Sequence, residues 1–348
     1  MIKKVYELFS NDIGIDLGTA NTLVYLKGEG IVINEPSVVA INTKTGRVVA
    51  VGTGAKQMLG RTPGHIKAIR PLVDGVISDF EVTEEMLSYF INKANNITKR
   101  AVRPRVVVGV PSGITNVEIR AVHDAVRNAG AREVHIVEEP MAAAIGIDLP
   151  VHEADGIMVI DIGGGTTDIA VIALSGIVRA KSLKIAGDKL NQDIISYIKD
   201  EFRILIGEKT AETIKMTIGS VSPSENIETE IRGRDLVSGL PKQITITSLD
   251  IREAIVGSVM QIVESSKEVL ETTPPEVLSD IMQTGVVITG GGALIHGIKE
   301  IFEKELNIPV LIALDPLAAV VIGTGKILDN VDLYSDVLLK HHDDLPPR

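Results

Sequence analysis

Apolar and polar positions alternate in two stretches that read alike. Residues 12–26 form an apolar run, a tight glycine turn and a second β-rich run, with Asp16-Leu17-Gly18-Thr19-Ala20-Asn21 at the turn. Residues 156–174 repeat the plan around Asp161-Ile162-Gly163-Gly164-Gly165-Thr166-Thr167-Asp168. In each, an Asp is followed by an apolar residue, then Gly, then small hydroxyl or amide residues. The copies stand about 145 residues apart, a domain's length and far beyond a solenoid period. The spacing predicts one domain duplicated, with two equivalent loops facing one ligand.

The rest of the pattern fills in both halves. Val106–Val110 reads as a buried strand, followed by a helix from about Asn116 to Ala129 with Val117, Ala121, Val122, Ala125 and Val126 on one face. Gly130 stops it. Val134–Val137 is another strand, and Pro140 opens a helix running to Gly146. In the second half Val286–Thr289 is a strand ending at Gly290-Gly291-Gly292, with a helix onward to about Leu306. Strands alternating with helices predict an α/β protein whose sheets are mainly parallel and covered on both faces. Two insertions stand out. Residues 31–66 carry short strands and turns. Residues 181–250 carry helices and then a polar stretch, Ser222-Pro223-Ser224-Glu225-Asn226, the expected mobile loop. The predicted organisation is an amino-terminal segment (1–10), a first lobe (11–149), a second lobe (150–315), a connecting helix returning to the first lobe (316–340) and a polar tail (341–348).

Composition narrows the class. A chain of 348 residues is too long for one typical domain. Aromatics are only 3% and Trp is absent, so the core must be aliphatic. Cysteine is absent, which excludes disulfides and thiolate metal sites. A net charge of -11 argues against nucleic acid as a partner. No stretch reaches the roughly 18 consecutive apolar residues of a membrane span. The start lacks the apolar core and cleavage site of a secretory signal, so a cytoplasmic protein is expected. Ile2, Val5, Tyr6 and Phe9 nonetheless fall at helical spacing, with Lys3 and Lys4 off that face. Such a segment would lie in the interface of an anionic membrane.

The two turns suit a polyphosphate. Backbone N–H groups of a glycine turn surround negative charge with no side chain intervening. Asp16 and Asp161 would repel a phosphate directly and make sense with a cation between, Mg²⁺ held through waters. No Gly-x-x-x-x-Gly-Lys-Ser/Thr occurs, so this is not a P-loop protein. Gly290-Gly291-Gly292 does not complete Gly-x-Gly-x-x-Gly, because Ile295 stands where the last Gly belongs. Taken alone, Glu139 at a helix start is a dipole-compensating residue, a role Glu138 fills equally well. Glu212 and Lys215 alone are a solvated i,i+3 pair.

Asp16-Leu17-Gly18-Thr19, Asp161 to Asp168 and Ile288-Thr289-Gly290-Gly291-Gly292-Ala293 resemble the phosphate-1, phosphate-2 and adenosine motifs of the actin, sugar-kinase and 70-kilodalton heat-shock chaperone superfamily. Val137-Glu138-Glu139-Pro140-Met141-Ala142-Ala143-Ala144 and Pro316-Leu317-Ala318-Ala319-Val320 look like its two connecting helices. Asn34-Glu35-Pro36-Ser37-Val38-Val39-Ala40 and Ala55-Lys56-Gln57-Met58-Leu59-Gly60-Arg61-Thr62-Pro63 resemble the MreB family of bacterial actins in particular. The resemblance spans nearly the whole chain.

It implies an actin-like fold, two RNase H-like lobes with a nucleotide cleft between them. It also implies ATP or ADP with Mg²⁺ in that cleft, and slow ATP hydrolysis coupled to polymer dynamics. Asp16 and Asp161 would hold the metal's waters. Gly18, Thr19, Ala20, Asn21, Gly163, Gly164, Gly165 and Thr166 would contact phosphates, and Gly187 and Asp188 would also bind the nucleotide. Glu212 and Lys215 would meet the ribose and base, and Gly290, Gly291, Gly292 and Ala293 would lie against the adenosine. Glu139 would orient the attacking water, assisted by Thr166. By resemblance the chain forms filaments with itself on the inner face of the cell membrane. It would work there with membrane-bound cell-shape and wall-synthesis proteins to maintain rod shape. Two rivals share the fold. A small-molecule kinase would need a substrate loop that is not identifiable here. An ATP-driven chaperone or adaptor would carry a further carboxy-terminal domain, whereas only about 25 residues follow the last connecting helix.

Overall fold

A computed structural model describes residues 10–60, 62–98, 102–223 and 226–339. The apolar amino-terminal positions Ile2, Val5, Tyr6 and Phe9, residues Ser224 and Glu225 of the polar stretch, and the tail 341–348 lie outside the described residues.

The first half opens with a meander of β1 (Ile13–Leu17), β2 (Asn21–Leu26) and β3 (Gly30–Pro36). Next come β4 (Val39–Asn42), β5 (Val48–Val51), a short helix α1 (Thr53–Lys56) and β6 (Ile66–Ile69). The chain continues through the hairpin of β7 (Leu72–Val73) and β8 (Val76–Ile77), then α2 (Phe80–Thr98), β9 (Arg105–Val110), α3 (Asn116–Asn128), β10 (Glu133–Glu138) and α4 (Glu139–Gly146). The second half repeats the meander as β11 (Ile157–Ile162), β12 (Thr167–Ala173) and β13 (Gly176–Leu183). It goes on through α5 (Gly187–Phe202), β14 (Ile204–Leu205), α6 (Glu208–Ile218), β15 (Glu228–Asp235) and β16 (Pro241–Thr247). It closes with α7 (Ser248–Glu271), α8 (Pro275–Thr284), β17 (Val286–Thr289), α9 (Ile298–Leu306), β18 (Val310–Ile312) and α10 (Ala319–Asp329).

The duplication is explicit in the sheets. One is ordered β10-β9-β1-β2-β3 and the other β13-β12-β11-β17-β18, the same topology in both. The sheets are mixed and not mainly parallel, a correction to the sequence reading. β1–β2 and β2–β3 are antiparallel while β1–β9 and β9–β10 are parallel. The cause is connection length: tight turns between the first three strands allow only antiparallel pairing, and helical crossovers supply the parallel pairs.

The inserted segments are bounded differently from 31–66 and 181–250: the first starts later and runs on to Ile69, and the second is shorter at both ends. β3 pairs with β2 (Leu23 opposite Asn34), so the small sheet β5-β4-β6 begins only after Pro36. β13 pairs with β12 as far as Leu183, and the small sheet β14-β15-β16 ends where α7 begins at Ser248. Within α3 a capping box closes the first turn: Thr115 Oγ1 accepts from the Glu118 amide and the Glu118 carboxylate accepts from the Thr115 amide. Val117 is 78% exposed, contrary to the predicted face. The buried stripe is Val122, Ala125 and Val126 with Ile119 against it, and Val117 lies off that stripe. The helix expected after Gly292 is also broken. A 3₁₀ turn spans Gly291–Leu294, and α9 starts only after Gly297, whose φ of 81° suits glycine. A Cβ there would meet the Ser222 amide nitrogen at 2.7 Å.

Two aliphatic cores fill the halves, and a third joins them around α4 and α10. α4 follows the first sheet but packs on β11 and β12, whereas α10 follows the second and packs on β1 and β9. The helices meet at backbone distance: a Cβ on Gly146 would run into the Ala319 carbonyl, and one on Gly323 into the Ala142 carbonyl. Lys326 on α10 caps α4, donating to Gly146 O at 2.9 Å and Ile145 O at 3.2 Å and pairing with Asp148 at 2.6 Å. Beyond α10 the chain returns to the first half, where Leu339 N–H donates to Ile136 O at 2.8 Å. Among the described residues no helix is long and apolar enough to cross a membrane.

Candidate functional site

A cavity of about 670 Å³ lies between the halves, walled by the two glycine turns and by α5, α6 and the Gly290–His296 segment. Its construction starts with the turns. In the β1–β2 turn, Ser37 Oγ donates to Gly18 O at 2.6 Å and Ser37 N–H to Ala20 O at 3.0 Å. In the β11–β12 turn, the first amides of α5 take the same part: Gly187 N–H donates to Gly163 O at 3.1 Å and Asp188 N–H to Gly164 O at 2.8 Å. The turn carbonyls are thus occupied from behind. Among the described residues the amides of Thr19, Ala20, Gly164 and Gly165 find no protein acceptor. Such a pair of turns is an anion cradle.

The turns touch tip to tip. A Cβ on Gly164 would stand 2.6 Å from the Ala20 Cβ, and one on Gly165 would stand 2.5 Å from Thr19 Oγ1. Only glycine fits this approach. A third loop seals the contact, and sequence reasoning missed it. Asp74 and Gly75 both have positive φ (50° and 77°), and Gly75 N–H donates to Thr19 Oγ1 at 3.0 Å. A Cβ on Gly75 would meet Thr166 Cγ2 at 2.9 Å. Asp-Gly between Leu72-Val73 and Val76-Ile77 is the local hairpin signal that could have found it.

Carboxylates line the floor. Asp16 and Asp161 occupy matching positions before the two turns and line the cavity with Glu139 at the start of α4, while Asp168 at the start of β12 is fully buried and stands outside the lining. Burial pushes the Asp16 carboxyl up to about 7. Burial pushes Asp168 up to about 6, opposed by the Ser112 amide, which donates to its Oδ1 at 2.8 Å from the other half. Glu139 is raised well above the carboxylate range by burial and then by the charges of Asp168, Asp16 and Asp161. Asp161 is raised by burial and then by Asp16 and Asp168. Carboxyls that repel one another in one buried space are a donor set a divalent cation would discharge. Among the described residues no three His, Asp or Glu side chains converge closely enough to ligate a metal directly. Holding through water fits this chain.

The expected base and ribose residues are brought to the same cavity, in different pairings. Lys215 Nζ donates to Gly187 O at 2.8 Å, bracing the turn that holds Gly163 and Gly164. Burial lowers its pKa, against the pull of Asp188 and Glu212. Glu212 pairs with Lys56 of α1 at 3.2 Å. The two are therefore not a solvated pair with each other. Gly290, Gly291 and Gly292 line the cavity, whereas Ala293 is buried and does not. Glu138, at the N-cap of α4, makes no cap bond; its Oε1 accepts from Gly113 N–H at 3.3 Å. Met216 (77% exposed) and Leu294 (60%) also line the cavity as bare apolar walls. Sequence reasoning missed both.

Duplicated mixed sheets, connecting helices exchanged between the halves and paired glycine turns above a carboxylate floor define the actin-like class of two-lobed proteins. The family model described as MreB/Mbl protein matches residues 10–336, and the chain belongs to the MreB/Mbl family. It is 53% identical over 326 residues to the cell shape-determining protein Mbl of Bacillus subtilis, covering 93% of this chain and 98% of that one. It is 52% identical over 339 residues to the cell shape-determining protein MreB of Escherichia coli K12, covering 96% and 98%. Among solved structures it matches MreB5 of Spiroplasma citri bound to ADP, with a TM-score of 0.88 and 40% identity over 94% of this chain and 98% of that one. The same protein bound to AMPPNP matches with a TM-score of 0.87 and 39% identity over the same shares. By this membership the chain is a cell shape-determining cytoskeletal protein.

Proposed function

We propose that the chain binds ATP with Mg²⁺ in the cleft, hydrolyses it slowly, and assembles head to tail into filaments on the inner face of the cell membrane. There it would organise wall synthesis with membrane-bound partners. The observation that carries the nucleotide reading is the tip-to-tip pair of glycine turns, four unpaired amides beside the three cavity-lining carboxyls Asp16, Glu139 and Asp161. MreB5 of Spiroplasma citri, bound to ADP and to AMPPNP, supports it. Bare Met216 and Leu294 suit the faces of a base.

The amides of Thr19, Ala20, Gly164 and Gly165 take the phosphate oxygens, at both ends of one tail. Asp16 and Asp161 hold the waters of the cation, which when bound neutralises phosphate charge. Glu139 orients a water for attack and accepts its proton, and the Thr166 hydroxyl steadies that water. Burial, and after it the charges of Asp168, Asp16 and Asp161, raise the Glu139 carboxyl above the usual carboxylate range, so it holds a proton more readily than an exposed carboxylate does. Closure of the lobes around nucleotide favours a head-to-tail contact, a heterologous interface that extends without limit. Residues 1–9 supply a weak membrane contact per subunit, and a filament multiplies it.

Electron microscopy of the purified protein on anionic lipid, with ATP–Mg²⁺ and without nucleotide, tests the reading. Nucleotide-dependent filaments lying on lipid are expected. Dispersed particles in both samples, from protein shown to bind ATP, would overturn the filament reading.

A further inference from the structure

Ion pairs join the two halves across the mouth of the cavity. Lys56 Nζ on α1 lies 3.2 Å from the Glu212 carboxylate on α6. Arg70, just past β6, lies 2.6 Å from Glu208 and 3.6 Å from Asp188. Lys184, just past β13, lies 3.6 Å from Asp74. In each pair one partner belongs to the first half and the other to the second. Lys56, Asp188 and Glu212 line the cavity itself, which places the Lys56–Glu212 pair and the Asp188 end of the Arg70 pair at its edge.

Both sides of the rim are braced. On the first half, Glu35 accepts from the Thr53 amide at 3.0 Å and pairs with Lys93, which fixes the start of α1. Gly52, with φ of 67°, leaves room for that carboxylate, which a Cβ would strike. On the second half, Asp188 and Glu208 sit in the first turns of α5 and α6, where negative charge is favoured. The Asp188 amide is bonded to Gly164 O, so a pull on Asp188 reaches the glycine turn directly. Arg70 is 27% exposed and Lys184 72%, which makes Arg70 the stronger holder and Lys184 a marginal one.

We propose that Lys56 and Arg70 form a cross-cleft clasp on α5 and α6 that keeps the lobes closed over the nucleotide and sets its residence time. The proposal rests on nucleotide binding in this cleft. A ligand beneath the rim leaves only when these pairs part. Partly exposed pairs are individually weak and screened by salt. The clasp therefore opens on the timescale of exchange and does not lock the site. Arg70 stands outside the cavity lining, so its effect on release is separable from direct contact with the ligand, whereas Lys56 lines the cavity.

The test is the release rate of mant-ADP from the full chain, chased with unlabelled ADP at a protein concentration too low for assembly. Arg70→Ala and Lys56→Ala should each speed release about threefold, and the two together about tenfold. Raising the salt from about 50 to 500 mM should speed release from the wild type more than from the double variant, which keeps only the exposed Lys184–Asp74 pair. Glu208→Ala, which removes the shorter Arg70 pair from the opposite lobe, should speed release alone and add little to Arg70→Ala. Arg70→Lys keeps the charge but loses the fork that spans Glu208 and Asp188, and its release rate should fall between wild type and Arg70→Ala. Unchanged release in both single variants, or equal salt dependence in wild type and double variant, would overturn the clasp. A wild type that binds no mant-ADP would instead overturn the nucleotide reading beneath it.

Discussion

Replacing Gly164 with alanine would place a methyl carbon 2.6 Å from the Ala20 Cβ. Carbon atoms pack at about 3.5–4.0 Å, so the two turns must part by about 1 Å. The backbone at Gly164 has no left-handed φ, so the penalty is steric and falls on the contact between turns. Overpacking of this kind costs about 1–3 kcal/mol of stability. The larger effect is on the ligand, because the amides of Thr19 and Ala20 would no longer converge with those of Gly164 and Gly165. Losing one charge-assisted hydrogen bond costs about 1.5–3 kcal/mol, a roughly 10- to 150-fold weaker nucleotide complex. Gly257 is the control: it lies within α7, and a Cβ there meets nothing within 4 Å. Gly257→Ala should leave affinity unchanged and add about 0.5–1 kcal/mol of stability. Titration with mant-ADP and thermal melting read both quantities. A Gly164→Ala protein that melts normally and binds nucleotide within about twofold of wild type would refute the two-turn grip.

Glu139→Gln should keep ATP binding and lower phosphate release about 100-fold or more. By removing one of the mutually repelling carboxyls, it should also raise the melting temperature of the nucleotide-free protein at pH 8. The sign of the pH dependence follows from Asp16, whose folded pKa of about 7 exceeds the usual value of 3.8. The nucleotide-free fold holds a proton on Asp16 that the unfolded chain gives up, so the contribution of Asp16 to stability declines as pH rises from about 4 to 7. Mg²⁺–nucleotide binding displaces that proton and should tighten through pH 7, by at most about tenfold per unit for one proton. Calorimetry at pH 6 and 8 measures this, and pH-independent binding would count against it. Gly323→Ala would drive a methyl group into the Ala142 carbonyl, and a melting temperature within a degree of wild type would contradict the close helix contact. Deleting residues 1–9 should spare ATP binding and abolish flotation with anionic vesicles; retained flotation would place membrane binding elsewhere.

The sequence carried the turns and the duplication because both are local: an apolar run, an Asp and a glycine turn are written within about ten residues. It carried the helix at Pro140 for the same reason. Ser37, Lys56 and Arg70 were not assigned these contacts, since their partners lie 19, 156 and 118–138 positions away, and no spacing rule links them. Met216 and Leu294 look like ordinary core residues in sequence; only the fold leaves them bare on the cavity wall. The mixed sheets escaped because alternating strands and helices dominate the pattern, while the short meander turns that force antiparallel pairing are brief. Glu212 and Lys215 illustrate the limit of spacing. Their i,i+3 separation suggests a pair, yet each finds its nearest partner in another element.

The most direct test of the account is a structure of the chain crystallised with AMPPNP and Mg²⁺. The phosphates should lie between Gly18–Ala20 and Gly163–Gly165, with the cation joined through water to Asp16 and Asp161 and the base between Met216 and Leu294. Nucleotide density elsewhere, or phosphates contacting only one of the two turns, would contradict it.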